Sequence, residues 1–265
     1  MMRRKIWWTD FAAHEYADID PMKTIAVLPI AAVEQHGPHL PVGVDMLLNR
    51  GCLDLLIEQA PADLDLRILP VQQVGKSNEH IWARGTVTHT AHTLIDAWFE
   101  LGQSVSRAGI KKLVFVNSHG GNEEIMGIVA RELRVREQML VVKSGWTRFQ
   151  PPDGMLSDLE KRHGIHAGDL ETSLMLHFHP ELVHMDKLDD FRSIAARDEQ
   201  QFKYLRPTGT HAYAWIASDL NPAGAVGNAA AATAERGRIF AQAEVSGMLE
   251  LLAEVERMPL PSAGN

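Results

Sequence analysis

The chain has 265 residues, 45% of them hydrophobic and 23% charged, which is typical of one globular enzyme domain with a sizeable core. The net charge is −8, and the scattered lysines and arginines lack the basic footprint of a nucleic-acid binder. We therefore predict a single domain over residues 1–265 that does not bind nucleic acid.

Three further features bear on the compartment. No uninterrupted apolar run reaches the ~18 residues of a membrane span. The basic start of the chain is not followed by the apolar stretch of a signal peptide. The single cysteine, Cys52, excludes an intrachain disulfide and lies in a helical pattern typical of a core residue. We expect a cytoplasmic protein without a membrane partner.

Strand-like and helix-like runs alternate along the chain. We predict strands at residues 25–30, 66–71, 112–117 and 139–143, and helices at residues 46–59, 91–106, 122–136, 169–178 and 229–256. This alternation is typical of an α/β fold with a mostly parallel sheet and helices on both faces. Residues 150–163 and 187–220 lack periodicity and are predicted to be long loops, which often serve as lids or assembly surfaces.

A dense group of ligand-type side chains follows the first predicted strand: Glu34, His36, His39 and Asp45. Two imidazoles and two carboxylates in a short loop favour a divalent metal as their partner. Glu34 and His36 can face one point if Gln35, between them, points away. Asp45 could alternatively cap the next helix, and His39 could line the site or be purely structural.

The sequence Asn-Ser-His-Gly-Gly-Asn follows the predicted strand at 112–117 and places His119 in a turn. Its glycines let the backbone approach a ligand closely. Ligands of parallel sheets bind beyond the carboxyl ends of the strands, so His119 should reach the same edge as the first group. Metal ligation is then favoured over an oxyanion loop or a plain turn. Glu79 and His80, which follow the strand at 66–71, are weaker candidates for the pocket lining.

A third motif precedes the predicted helix at 169–178. Acidic side chains suit the first turn of a helix, which is the simplest interpretation of Asp169. Glu171 is a ligand candidate if this helix begins at the same edge of the sheet. His166 is a candidate general acid or base because histidine titrates near neutral pH.

Together these motifs resemble the creatininase (creatinine amidohydrolase) family of metal-dependent hydrolases. The resemblance runs in order from about residue 5 to 255 and is carried by EQHGPHLP at 34–41 with Asp45, GTV at 85–87, NSHGGN at 117–122, HAGDLETS at 166–173, and the stretches at 219–227 and 232–237. It implies a three-layer α/β/α sandwich, a homo-oligomer that is usually a hexamer, and two divalent ions, Zn²⁺ or Mn²⁺.

The resemblance also implies roles for individual residues. By position, the implied ligands are Glu34 and His119 for one ion, His36 for the other, and Asp45 as the bridge between them. His166 matches the histidine that assists proton transfer. Creatininase itself has a glutamate ligand two residues after the histidine matched by His119, where this chain has Gly121. We expect Glu171 to supply the missing carboxylate.

These expectations describe a hydrolase in which two metal ions activate water against a C–N bond of a small, cyclic amide, while His166 donates a proton to the departing nitrogen. Its expected partner is a small-molecule substrate. Alternatives within the family are a formamide deformylase and a peptide-trimming enzyme. Outside this activity, a non-catalytic metal-binding scaffold and a metal-free protein are the remaining alternatives.

Overall fold

A four-stranded parallel sheet lies at the centre of the computed structural model, which describes residues 4–260. Its strands, in the spatial order β2-β1-β3-β4, are β1 (Ile25–Ile30), β2 (Leu66–Ile68), β3 (Lys112–Asn117) and β4 (Leu140–Gly145). Ile25 lies opposite Leu66 on one side and Lys112 on the other. All residues of β1 and β3 are buried, as expected for a parallel sheet covered on both faces.

The helices follow in chain order: α1 (Val44–Gln59), α2 (Ala91–Arg107), α3 (Glu123–Glu137), α4 (Asp158–His163), α5 (Asp169–Phe178), α6 (Ala195–Asp198), α7 (Ala217–Leu220) and α8 (Ala234–Arg257). Short 3-10 turns occur at Trp8–Asp10, Ala13–Tyr16, Asn78–His80, Gly120–Asn122, Trp146–Arg148, Pro180–Leu182, Met185–Lys187 and Ala229–Ala231. Two short strands, β5 (Asp190–Phe191) and β6 (Gly227–Asn228), pair antiparallel.

Helices cover both faces of the central sheet because successive strand side chains point to opposite sides. Ile25 and Val27 pack in a cluster with residues of α1 and α8. Ala26 and Leu28 pack in a second cluster with residues of α2 and α3. The predicted three-layer α/β/α sandwich is therefore confirmed.

Several predicted boundaries are wrong. The second strand ends at Ile68 rather than at residue 71, two residues before a proline. The last helix begins at Ala234 rather than at 229, because the Thr233 hydroxyl accepts a hydrogen bond from Arg236 N–H and caps it there. The predicted loop at 150–163 contains α4, and the one at 187–220 contains β5, α6 and α7.

The carboxyl ends of the central strands meet at one edge of the sheet. The chain leaves β1 into residues 31–43, β2 into residues 69–90 and β3 into the 3-10 turn Gly120–Asn122. Within residues 4–260, none of the helices has both the length and the apolar character needed to cross a membrane.

Candidate metal centre

The predicted motifs converge at this edge of the sheet. Asp45 lies in the first turn of α1. The N-terminal cap residue of this helix is Gly43, and no side chain at the cap position makes a capping hydrogen bond. The alternative that Asp45 caps this helix is thus excluded, and its carboxylate faces the histidines instead.

Three of the predicted residues form what we call the inner group: Glu34, Asp45 and His119. Nδ1 of His119 lies 3.2 Å from Oε1 of Glu34 and 3.6 Å from Oδ2 of Asp45. All three side chains are buried, and their ligand-type atoms lie within 4.8 Å of one another. A single divalent cation could be held by this set.

A second set, the outer group, consists of His36, Asp45 and Glu171. Nε2 of His36 lies 3.5 Å from Oδ1 of Asp45 and 3.9 Å from Oε2 of Glu171. Asp45 belongs to both groups and presents one oxygen to each. Glu171 reaches the site because α5 begins at this edge, and Ala167 N–H donates to its Oε2 at 2.5 Å. Glu171, which the sequence predicted as a ligand candidate, therefore lies beside His36.

The ring orientations of the histidines suit metal ligation. His36 donates from Nδ1 to the backbone oxygen of Glu34 at 3.0 Å, and His119 donates from Nε2 to the backbone oxygen of Lys76 at 2.8 Å. Each ring therefore turns its other nitrogen toward the carboxylates, where it would offer a lone pair to a cation once its proton is lost. Histidine ligands in metal sites are oriented by such hydrogen bonds.

The chemistry of the unpaired atoms also fits a cation. Oε2 of Glu34, Nε2 of His36 and Oδ2 of Asp45 are buried without a hydrogen-bond partner. Buried polar atoms are normally satisfied, so three unpaired atoms distributed over the inner and outer groups fit the absence of a ligand from this site. The residues present therefore fit one or two divalent ions.

The titration behaviour of the site points the same way. Burial lowers the pKa of His36, but the carboxylate of Asp45 outweighs it and raises the pKa to about 9. Burial likewise lowers the pKa of His119, and Glu34 raises it to about 10. Burial raises the pKa of Glu171 to about 7. Without metal the two histidines hold protons at neutral pH, so a cation would bind with proton release.

His166 lies beside both groups. Its Nε2–H donates to the backbone oxygen of Gln35 at 2.7 Å, which leaves Nδ1 as a lone pair 3.6 Å from Oε1 of Glu34. Burial, followed by the nearby charge of His36, holds the pKa of His166 well below its usual value. A neutral imidazole with a free Nδ1 is suited to accept and return a proton.

Gly121 has a steric reason to be glycine. A Cβ at this position would lie 2.4 Å from Oε1 of Glu79 and 2.4 Å from the backbone oxygen of Lys76. A glutamate at residue 121 does not fit unless the segment containing these residues moves. The replacement of this carboxylate by Glu171 stays a prediction, and Oε2 of Glu171 lies 3.9 Å from Nε2 of His36.

Two residues of the first motif have other contacts. Gln35 is buried, and its Nε2 lies 2.8 Å from Nδ1 of His80. His39 belongs to neither group: its Nε2 lies 3.1 Å from the oxygen of Ala167 and 3.0 Å from the hydroxyl of Thr172. His39 thus supports the turn that carries His166.

Sequence reasoning gave too little weight to Glu79 and His80. Nε2 of His80 lies 3.5 Å from Oε1 of Glu34, and Oε1 of Glu79 lies 3.6 Å from Nε2 of His119. The signal was present, because both residues follow β2 and therefore belong to the same edge of the sheet. Asp169, in contrast, is a structural residue: it pairs with Arg236 of α8.

Two adjoining cavities open onto the outer group. The larger, of about 490 Å³, is lined by residues that include His119, Glu123, Arg148 and Glu171. The smaller, of about 300 Å³, includes His166, Lys161, Glu171 and an apolar set: Pro151, Leu156, Ile165 and Leu170. Both cavities share Glu171, so one extended molecule lying across the centre could occupy both.

Comparison with known proteins adds to this geometry. A family model described as Creatininase: Creatinine amidohydrolase matches residues 9–252. A mycofactocin precursor peptide peptidase of Mycolicibacterium smegmatis is 34% identical over 169 residues, which span 63% of this chain and 63% of that protein, less than two thirds of its length. One of the same name from Mycobacterium ulcerans is 31% identical over 222 residues, 82% of this chain and 80% of that one.

A creatinine amidohydrolase of Pseudomonas putida is 27% identical over 271 residues, covering 94% of this chain and 95% of that protein. Among solved structures, a mutant creatininase superposes with a TM-score of 0.77 at 22% identity, covering 96% of this chain and 100% of that one. A creatininase described as its Mn form gives a TM-score of 0.76 at 22% identity, with coverage of 96% and 100%. The structural likenesses establish the fold.

Proposed function

The chain belongs to the creatininase family and is a hydrolase acting on C–N bonds, and from this premise we propose that it cleaves an amide bond with the help of two divalent metal ions. The inner group, Glu34, Asp45 and His119, would hold one ion. The outer group, His36, Asp45 and Glu171, would hold the other, with Asp45 as the bridge. Zn²⁺ and Mn²⁺ are the candidates, because imidazole and carboxylate ligands suit both.

One observation carries this proposal. The ring nitrogens of His36 and His119 that do not contact a backbone oxygen converge on carboxylates that also have buried, unpaired oxygens. A site built only for stability would place hydrogen-bond donors against these oxygens. Bound divalent ions would lower the pKa of a water molecule and polarise the substrate carbonyl.

His166 would move the proton in this reaction. Its Nδ1 is free and its Nε2–H is held by the backbone oxygen of Gln35. Nδ1 therefore accepts a proton from the attacking water and returns it to the departing nitrogen as the C–N bond breaks. Nδ1 would both accept and return the proton, so the imidazole ring does not need to rotate between the two steps.

For the substrate, a peptide amide is favoured over a small cyclic amide. The two cavities adjoin at Glu171, and part of the wall of the smaller one is apolar. Such a groove suits an extended chain, and two relatives more than 30% identical are named as peptide peptidases. A creatinine-like ring is the second candidate, in view of the relative matched over 94% of this chain. The cytoplasmic location and the homo-oligomer, expected as a hexamer, stay predictions.

Replacement of the bridging residue tests the proposal most directly. We expect Asp45→Ala to abolish hydrolysis of every substrate and to lower bound metal, because both groups lose a ligand. The matched control is Asp54→Ala on the same helix, since Asp54 is exposed and pairs with Arg50. Elemental analysis and a hydrolysis screen that includes short peptides and creatinine provide the measurements. Full turnover and metal content in Asp45→Ala would refute the two-metal site.

The same screen separates the substrate classes. Cleavage of peptides without turnover of creatinine supports the peptide amide, and the reverse result supports the cyclic amide. Purified wild-type protein that contains no transition metal and does not hydrolyse either class would point to the metal-free alternative.

A further inference from the structure

The side-chain amide of Gln35 has one orientation. Its Oε1 accepts a hydrogen bond from Gly37 N–H at 2.9 Å, and its Nε2 donates to the backbone oxygen of Gly224 at 2.9 Å. A flipped amide would set oxygen against oxygen and nitrogen against nitrogen at these two contacts. The second hydrogen on Nε2 is therefore left for Nδ1 of His80, 2.8 Å away.

This contact determines the tautomer of His80. Because Nδ1 accepts from Gln35, the ring proton of the neutral imidazole lies on Nε2. That Nε2–H faces Oε1 of Glu34 at 3.5 Å, and both side chains are buried. A nitrogen that carries the only proton of a neutral imidazole has no lone pair for a cation. His80 therefore presents an N–H to Glu34 rather than a metal-binding lone pair, although Glu34, Glu79 and His80 also lie within 4.8 Å of one another.

The segment that carries His80 also orients His119. We call residues 75–80 the 75–80 loop. Within it, the backbone oxygen of Lys76 accepts the Nε2–H of His119, and Lys76 N–H donates to the side chain of Asn122 at 3.0 Å. Gly75 lets the loop approach this closely, because a Cβ there would lie 2.4 Å from the backbone oxygen of Ala31. The loop thus faces two of the three members of the inner group.

Other contacts orient the outer group. His36 is held by the backbone oxygen of Glu34, and Glu171 is held by Ala167 N–H. The supports of the two groups are therefore separate, except through Asp45 and the backbone of Glu34. A change in the 75–80 loop should therefore alter metal binding by the inner group much more than metal binding by the outer group.

On the basis of the proposed function, we propose that Gln35 and His80 are positioning residues that set the metal affinity of the inner group alone. Gln35 holds the tautomer of His80, and His80 holds the carboxylate of Glu34 in the orientation that faces His119 and Asp45. Partners that orient metal ligands typically change affinity by about 10- to 100-fold when they are removed.

The test is a metal titration of His80→Phe, which keeps a ring of similar size and loses the donor. Protein stripped with a chelator is titrated with Mn²⁺ by calorimetry, and electron paramagnetic resonance distinguishes a coupled Mn²⁺ pair from isolated ions. We expect one Mn²⁺ to bind about 10- to 100-fold more weakly while the other keeps its wild-type affinity. His80→Gln, whose amide can still donate to Glu34, should restore the tight pair. His89→Phe is the control, since His89 is exposed.

Gln35→Met removes the hydrogen bond to Nδ1 of His80 and should weaken binding of the same Mn²⁺ ion. With this second variant, the test does not depend on the folding of one protein. The proposal is overturned if binding of both ions weakens equally in these variants, or if binding of neither weakens. It is also overturned if the wild type binds a third Mn²⁺ that the His80 variants do not bind, because His80 would then be a ligand itself. Failure of the proposed function has a different signature, because the wild type itself would then bind no pair of Mn²⁺ ions.

Discussion

The inner and outer groups share Asp45 but differ in their access to solvent. The side chains of Glu34 and His119 in the inner group are 1% and 5% exposed, and the 75–80 loop packs behind them. In the outer group, the side chain of Glu171 is 18% exposed. His119 borders only the larger cavity, whereas Glu171 borders both, so a cation in the outer group would be more accessible to the substrate. The difference suggests a division of labour between a retained ion and a reactive one.

Among the changes that separate the two groups, the largest expected effect comes from Glu171. We predict that Glu171→Gln reduces hydrolysis on the order of 10³-fold, because a metal ion contributes several kcal/mol of charge stabilisation to the transition state. The inner group is intact in this variant and should still bind one ion. Turnover and metal stoichiometry are measured together.

Glu181→Gln is the matched control for Glu171→Gln, because Glu181 is an exposed carboxylate shortly after the same helix. If Glu171→Gln loses both ions, the groups do not act separately. If it keeps both ions and normal turnover, Glu171 is not a ligand.

A smaller effect is expected from His166, which contacts Glu34 of the inner group yet lines the smaller cavity. We predict that His166→Asn lowers kcat by roughly 100-fold, a loss typical of a general acid–base group, and leaves both ions bound. Steady-state kinetics over a range of pH and elemental analysis are the measurements, and exposed His92→Asn is the control. Loss of metal with the activity would instead make His166 a ligand.

The sequence predicted the ligand-type residues better than their supports. Glu34, His36 and His119 could be found because short motifs follow buried strands, and parallel strands bring their carboxyl ends to one edge. The contacts of Gln35 were not predicted. Its hydrogen-bond partner His80 is 45 residues away in the chain, and its acceptor Gly224 is 189 residues away. Local spacing contains no information on such contacts.

The conformation of the loops could also not be predicted from local sequence patterns. The turn before α5 depends on Ala167, a buried non-glycine residue with φ of +54°. This conformation is unfavourable for alanine and is held by tertiary contacts, among them the hydrogen bond from His39 to its backbone oxygen. The position of Glu171 relative to His36 follows from this turn. The sequence could therefore nominate Glu171 as a ligand candidate but could not place its carboxylate.

The smallest expected effect tests how far the charge of the outer group reaches into the core. Glu244 of α8 is buried, and its Oε2 lies 3.6 Å from Sγ of Cys52. Burial raises the pKa of Glu244 from its usual 4.5 to about 8, and the charge of Glu171 contributes to this rise. Glu244 is therefore protonated in the folded protein over a pH range in which the unfolded chain has lost that proton.

From this difference, the contribution of Glu244 to the free energy of unfolding should fall as pH rises from about 4.5 to about 8, by roughly 1.4 kcal/mol per pH unit. Glu244→Gln should remove this part of the slope, and Glu250→Gln, an exposed change on the same helix, should not. Urea unfolding across this pH range measures both. A cation in the outer group would neutralise Glu171, so saturating Zn²⁺ should move the end of the fall to lower pH. If the part of the slope that Glu244→Gln removes is identical with and without Zn²⁺, the outer group does not influence the core electrostatically.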